Sequence, residues 1–284
     1  MESPLVTTEW LARHTERSDL FLIDVSVDNV IGKEPIVYDE LITIPGSYKV
    51  SIDHELSDTE TAGIHVFPKV KQIQQVAQKL GLTPKSMIVL YDDQGIYSAP
   101  RAWWIFKSYG FDKVFILDGG LPKWRAEGRE TASDHLTSSS TSLLDITEDL
   151  DINVSAVKTV PDLLENIESG ISTVVDVRAE ARFYGKAPEP RPGVRSGHIP
   201  KSCNLPFMNV LSSDGLTFKS AGDLNALFES QNFSSDASFI FSCGSGMTAC
   251  IMLVAAIVAG YENVSLYDGS WAEWGADASL PIEL

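Results

Sequence analysis

"FIFSCGSGMTACIMLVAAIVAGY", residues 239–261, runs from a short apolar stretch through Cys243, Gly244, Ser245 and Gly246 into a long apolar segment that carries no charge. Residues 86–110, "SMIVLYDDQGIYSAPRAWWIFKSYG", follow the same plan of apolar run, glycine-containing turn and helix-forming stretch. An apolar run of four or five residues that leads through such a turn into a helix reads as one strand-loop-helix unit of a parallel sheet.

Other landmarks repeat in the same order. "LFLIDV" (20–25) and "STVVDV" (172–177) each end an apolar run on an aspartate, and Asp176 follows Asp24 by 152 residues. "KVFILDGGLPKW" (113–124) is echoed by "NVSLYDGSWAEW" (263–274), with Asp268 lying 150 residues after Asp118 and a tryptophan six residues beyond each aspartate. "ITIPGSYKV" (42–50) parallels "GHIPKSCNLPF" (197–207). A nearly constant offset across ordered landmarks is the mark of a duplicated unit. The halves are expected at 1–130 and 155–284, joined by a Ser/Thr- and acid-rich linker over 131–154. Strands are predicted at Phe21–Val25, Met87–Tyr91, Val114–Leu117, Thr173–Val177, Phe239–Ser242 and Val264–Tyr267. Helices are predicted at Val70–Leu80, Ala99–Tyr109, Ala221–Ser230 and Thr248–Ala259. The fold class that follows is α/β, with a mostly parallel sheet flanked by helices in each half.

Composition narrows the function. The 284 residues carry a formal charge of −17, which disfavours nucleic-acid partners, and no basic patch offsets it. Ala249–Gly260 falls well short of the roughly 20 apolar residues a membrane helix needs, so it reads as a buried helix. The first residues, "MESPLVTTEWLARHTERSDLF", lack an apolar signal run, so a cytoplasmic location is expected. Three cysteines without CxxC spacing argue against a disulfide framework or structural zinc. No Gly-rich phosphate-binding motif or metal-ligand cluster occurs, so no cofactor and no metal is expected.

The turn at Cys243 carries the chemistry. Ligands of parallel sheets sit at the carboxyl ends of strands. Gly244 and Gly246 expose the turn's amides at a helix entrance, which makes an anion cradle able to hold an anionic sulfur, whether thiolate or persulfide. A cysteine-dependent phosphatase closes this cradle with an arginine six residues on, and here that residue is Ala249. Cys203 and Cys250 read as small buried apolar residues. Matching Ala99 to Ala249 places Asp93 opposite Cys243, and an aspartate cannot form a persulfide, so the first copy is expected to be catalytically silent.

"SAPRAWW" (98–104), "LDGGLPKW", "EPRPGVRSGHIP" (189–200), "LYDGSWAEWG" (266–275) and "CGSGMTA" (243–249) together resemble the two-domain rhodanese-type sulfurtransferases over almost the whole chain. The resemblance implies two tandem rhodanese-like domains and a double displacement, in which Cys243 takes the donor's sulfur as a persulfide and passes it to a thiol acceptor, such as a small thiol or a thioredoxin-like protein, or to cyanide. Thiosulfate-preferring members place basic residues after the cysteine, whereas the loop of mercaptopyruvate-using members reads Cys-Gly-Ser/Thr-Gly-Val-Thr. This chain has the second form, with Met247 in the valine position. The resemblance further implies that Arg182 and Arg191 hold a small anionic donor, with Gly244, Gly246, Met247 and Thr248 lining its site. It also implies that Ser245 assists the chemistry, and that His65 and Asp53 form a relay to Ser245. The neighbouring sequence "TETAGIHVFP" departs from the family pattern around that histidine. Three readings stay open: mercaptopyruvate as donor with pyruvate released, thiosulfate as donor, or a carrier that accepts a persulfide from one protein and delivers it to another.

Overall fold

The computed structural model describes residues 3–137 and 153–284; most of the expected linker at 131–154 lies outside the described residues. Two compact units are present. The first gathers the described residues within Met1–Glu60, Phe67–Val154 and Ser212–Phe218, and the second gathers Thr61–Val66, Ser155–Leu211 and Lys219–Leu284. The units are therefore not simple halves of the chain, because the short segments 61–66 and 212–218 each pack with the unit from the other half.

In the first unit β1 (Leu5–Val6), α1 (Thr8–Ala12), β2 (Leu20–Asp24), β3 (Ser47–Lys49), α2 (Val70–Leu80), β4 (Met87–Tyr91), α3 (Ala99–Ser108), β5 (Val114–Leu117) and α4 (Gly120–Ala126) follow in order. The sheet runs β1-β5-β4-β2-β3, and every strand pair in it is parallel. The second unit repeats this with β6 (Val157–Lys158), α5 (Val160–Ser169), β7 (Thr173–Asp176), α6 (Glu180–Phe183), β8 (Cys203–Asn204), a 3-10 turn at Phe207–Val210, α7 (Ala221–Ser230), β9 (Phe239–Ser242), α8 (Ala249–Val258), β10 (Val264–Tyr267) and α9 (Ser270–Trp274). Its sheet runs β6-β10-β9-β7-β8, again parallel and in the same topological order. The duplication read from sequence is thus a duplication of topology.

Both faces of each sheet are covered, as parallel sheets require. On one face of the first sheet Leu22, Val89, Tyr91 and Leu117 pack with Leu11, Leu121 and Trp124. The second unit repeats the arrangement with Val174, Ile240 and Tyr267 against Leu163, Trp271 and Trp274. Helix α8 is apolar around its whole circumference, and Ala249 to Ala256 are all buried, which explains why its sequence shows no amphipathic stripe. Among the described residues no helix is long and apolar enough to cross a membrane.

Candidate active site

Strand β9 is central in its sheet and delivers Cys243 to the carboxyl edge, where only 1% of the residue is exposed. The six-residue turn Cys243–Thr248 then enters α8. Gly246 takes φ +75°, a left-handed conformation that glycine adopts without strain. Ser270, at the start of α9, fixes the turn from the side: its Oγ accepts from the Cys243 and Gly246 amides, both at 3.1 Å, and donates to the Tyr267 carbonyl at 2.9 Å. This serine is fully buried at φ +50°, a conformation that costs about 1–3 kcal/mol and that its hydrogen bonds offset. The Trp271 and Ala272 amides donate to the carbonyls of Cys243 and Gly244 at 3.0 and 2.9 Å. The cradle is thus smaller than a full ring of amides. Two of its N–H groups face Ser270, while those of Gly244, Ser245, Met247 and Thr248 have no acceptor among the described residues.

Two arginines converge on this turn. A β-carbon placed on Gly244 would lie 3.5 Å from Nη2 of Arg182 and 3.6 Å from Nη1 of Arg191, so glycine here leaves room for both guanidinium groups. Arg182 sits on α6, and Arg191 on the irregular segment that follows it. Arg191 Nη2 also donates to Ser245 Oγ at 3.3 Å. His65, from the 61–66 segment of the same unit, brings Nδ1 to 3.1 Å from Ser245 Oγ and 3.2 Å from the Ser245 carbonyl. Cys243, Ser245, Arg182, Arg191 and His65 therefore lie around one turn. Met247 and Thr248 are buried beside it. Asp53 lies in the turn region after β3, in the first unit.

The other thiols differ in setting. Cys250 is fully buried in α8 and donates to the Gly246 carbonyl at 3.3 Å. Cys203 points at the Val174 carbonyl, and burial pushes its thiol up to about 11. His198 is held structurally: it stacks on Phe183 with ring centroids 3.8 Å apart, and its Nδ1 lies 3.0 Å from the Phe183 carbonyl.

The equivalent turn of the first unit is one residue longer. Sheet register pairs Asp24 with Tyr91 and Asp176 with Ser242, which places Asp92, rather than Asp93, opposite Cys243. Counting back from the helix gives Asp93 because Asp92–Ser98 has seven residues where Cys243–Thr248 has six. Asp92 is fully buried and fills its own helix entrance: Oδ2 accepts from the amides of Tyr97, Ser98 and Ala99, each at 2.9 Å, and Oδ1 from that of Gln94 at 3.0 Å. Beside it a cavity of about 270 Å³ is lined by Asp24, Tyr38, Lys49, Asp93 and His135, among others. Burial, with the neighbouring charge of Asp92, pushes Asp93 up to about 6. Burial would raise Asp24 as well, but hydrogen bonds from His135 and Ser26 and the charge of Lys49 outweigh it and hold that carboxyl at about 2.

Sequence reading misses two parts of this site. Ser270 stands inside the repeated "LYDGSWAEW", but its role depends on how α9 folds back onto the turn. Glu189, in "EPRPG", has both carboxylate oxygens on neighbouring arginines, and its charge gives no hint of this in sequence.

Comparison with known proteins agrees with the repeat. The rhodanese-like domain family model matches residues 7–127 and again 159–277. The 3-mercaptopyruvate sulfurtransferase of Escherichia coli K12 is 34% identical over 280 residues, covering 98% of this chain and 97% of the relative. The rat protein of the same name is 35% identical, covering 95% of this chain and 91% of its own. The crystal structure of SseA from Escherichia coli, described as a 3-mercaptopyruvate sulfotransferase of rhodanese fold, superposes with a TM-score of 0.80 at 30% identity, over 95% of this chain and 99% of that one. With its duplicated parallel sheets and both halves matched, the chain belongs to the rhodanese-like family.

Proposed function

We propose that the chain is a 3-mercaptopyruvate sulfurtransferase whose reactive group is the Cys243 sulfur. The convergence of Arg182 and Arg191 over Gly244, next to a buried cysteine at a helix entrance, carries this reading. An acidic protein needs local cations to bind an anionic donor, and guanidinium groups suit a planar carboxylate. The relatives named for 3-mercaptopyruvate and the uncharged Gly244-Ser245-Gly246 turn support the choice of donor.

In the first half-reaction the Cys243 sulfur attacks the donor's sulfur while Arg182 and Arg191 hold its carboxylate and keto oxygen. The donor's C–S bond breaks, its electron pair passes into the enolate of pyruvate, and Cys243 is left as a persulfide. Ser245, hydrogen-bonded to Arg191 and beside His65, stands where a proton can be passed to the enolate, which becomes pyruvate. The turn's amides and the two arginines stabilise the developing negative charge. In the second half-reaction a thiolate or cyanide attacks the outer sulfur, and Cys243 leaves as the original sulfur anion. His65 is the proton carrier of this scheme.

The first unit is silent in this reading because Asp92 already occupies the helix entrance that a sulfur anion would need. Cys203, Cys243 and Cys250 form no disulfide, which suits a reducing compartment such as the cytoplasm. Steady-state assays with mercaptopyruvate and cyanide test the proposal. Cys243→Ser is expected to abolish turnover, and Arg191→Gln to lower kcat/KM by about 10²-fold or more with an unchanged melting temperature. Turnover retained by Cys243→Ser would overturn the assignment.

A further inference from the structure

Among the described residues Glu189 is the one acidic side chain that bridges the arginine beside the turn to the buried ionic network behind it. Only 4% of its side chain is exposed. Oε1 accepts from Arg178 Nη1 at 2.8 Å and from Arg182 Nε at 3.2 Å, and Oε2 accepts from Arg182 Nη2 at 2.5 Å. Arg178 is spent elsewhere: it also pairs with Asp176, donates to the Gly197 carbonyl and lies 4.5 Å from the Trp271 ring centroid. The Nε/Nη2 edge of Arg182 is occupied by Glu189, which leaves Nη1 as its nitrogen without a carboxylate partner among the described residues. Arg178, Arg182 and Arg191 against Asp176 and Glu189 sum to one positive unit beside and behind the turn, before the Cys243 sulfur is counted.

We infer that Glu189 is a specificity-determining positioning residue: it holds Arg182 by one edge and limits the donor site to a single net positive charge, favouring singly charged α-keto carboxylate donors over doubly charged ones such as thiosulfate. The inference rests on the proposed sulfur-transfer function. In a largely buried site each uncompensated charge is costly, so a dianion, which brings one more negative charge to the same cations, is penalised relative to a monoanion. Discrimination of this kind works by penalising the wrong ligand rather than by adding contacts to the right one. The uncharged turn alone removes attraction for a dianion; Glu189 subtracts a further unit of positive charge from the arginine nearest Gly244.

The test measures kcat/KM for mercaptopyruvate and for thiosulfate, with cyanide as acceptor, in the unaltered protein, Glu189→Gln and Glu189→Asp. Glu189→Gln is expected to raise the thiosulfate-to-mercaptopyruvate ratio by about tenfold or more, mainly through a lower KM for thiosulfate and more strongly at low salt. Glu189→Asp, which keeps the charge, is expected to hold the original ratio even if both activities fall. Equal losses for both donors in Glu189→Gln would mean a merely structural role and overturn the inference. Should that variant not fold, competitive inhibition of the unaltered protein decides: pyruvate is expected to bind at least about tenfold more tightly than sulfate, and the reverse order would overturn the inference. A protein that turns over neither donor would instead overturn the proposed function.

Discussion

At the scale of single residues, the two equivalent turns use anionic groups in different ways. Asp92 is tied to four amides at the entrance of α3, and its neighbour Asp93 pays in burial, with its carboxyl pushed up to about 6. An unfolded aspartate loses its proton near pH 3.9, so between about pH 4 and 6 the folded chain still holds a proton that the unfolded chain has released. Asp93 therefore lowers stability progressively as pH rises through that window, and the full penalty is present above it. Asp93→Asn removes the penalty. The variant is expected to be more stable by about 1–2 kcal/mol at pH 7.5, with the gain vanishing near pH 4. Urea melts at both pH values check this, and an equal gain at both would contradict it.

At the scale of elements, Asp92 acts as a built-in cap of α3. Asp92→Ala strips three adjacent buried amides of their acceptor and is expected to cost about 2–4 kcal/mol, read as a lower urea midpoint with an unchanged slope. A loss below about 0.5 kcal/mol would contradict the capping role. Long apolar elements are legible in the sequence: Met87–Tyr91, Val114–Leu117, Phe239–Ser242, Val264–Tyr267, Val70–Leu80 and Ala221–Ser230 begin and end where their patterns do. Strands β1, β3, β6 and β8 are not legible, because two or three residues held by a single neighbouring strand carry no periodicity. Helix α5 does carry a signal, since Thr159 and Asp162 form a capping box with Pro161 in the first turn. The cysteine turn is legible because glycine and a helix entrance dictate its geometry locally. Ser270 and Glu189 escape sequence reading because their partners, Cys243 and Gly246 for one and Arg178 and Arg182 for the other, are brought to them only by tertiary folding.

At the scale of the whole molecule, one topology appears twice with different occupants at the same turn: a carboxylate that seals the helix entrance in the first unit and a thiol in the second. A net charge of −17 surrounds a turn flanked by Arg182 and Arg191, so the proposed binding of an anionic donor depends on cations set locally. In the proposed mechanism sulfur transfer passes through Cys243 alone. Peptide-level mass spectrometry after incubation with mercaptopyruvate, without an acceptor, tests it most directly. One added sulfur atom is expected on the peptide containing Cys243, none on those containing Cys203 or Cys250 alone, and loss of the adduct is expected once cyanide is added. An unmodified Cys243 in protein that nonetheless releases pyruvate, or the adduct on Cys203, would contradict the claim.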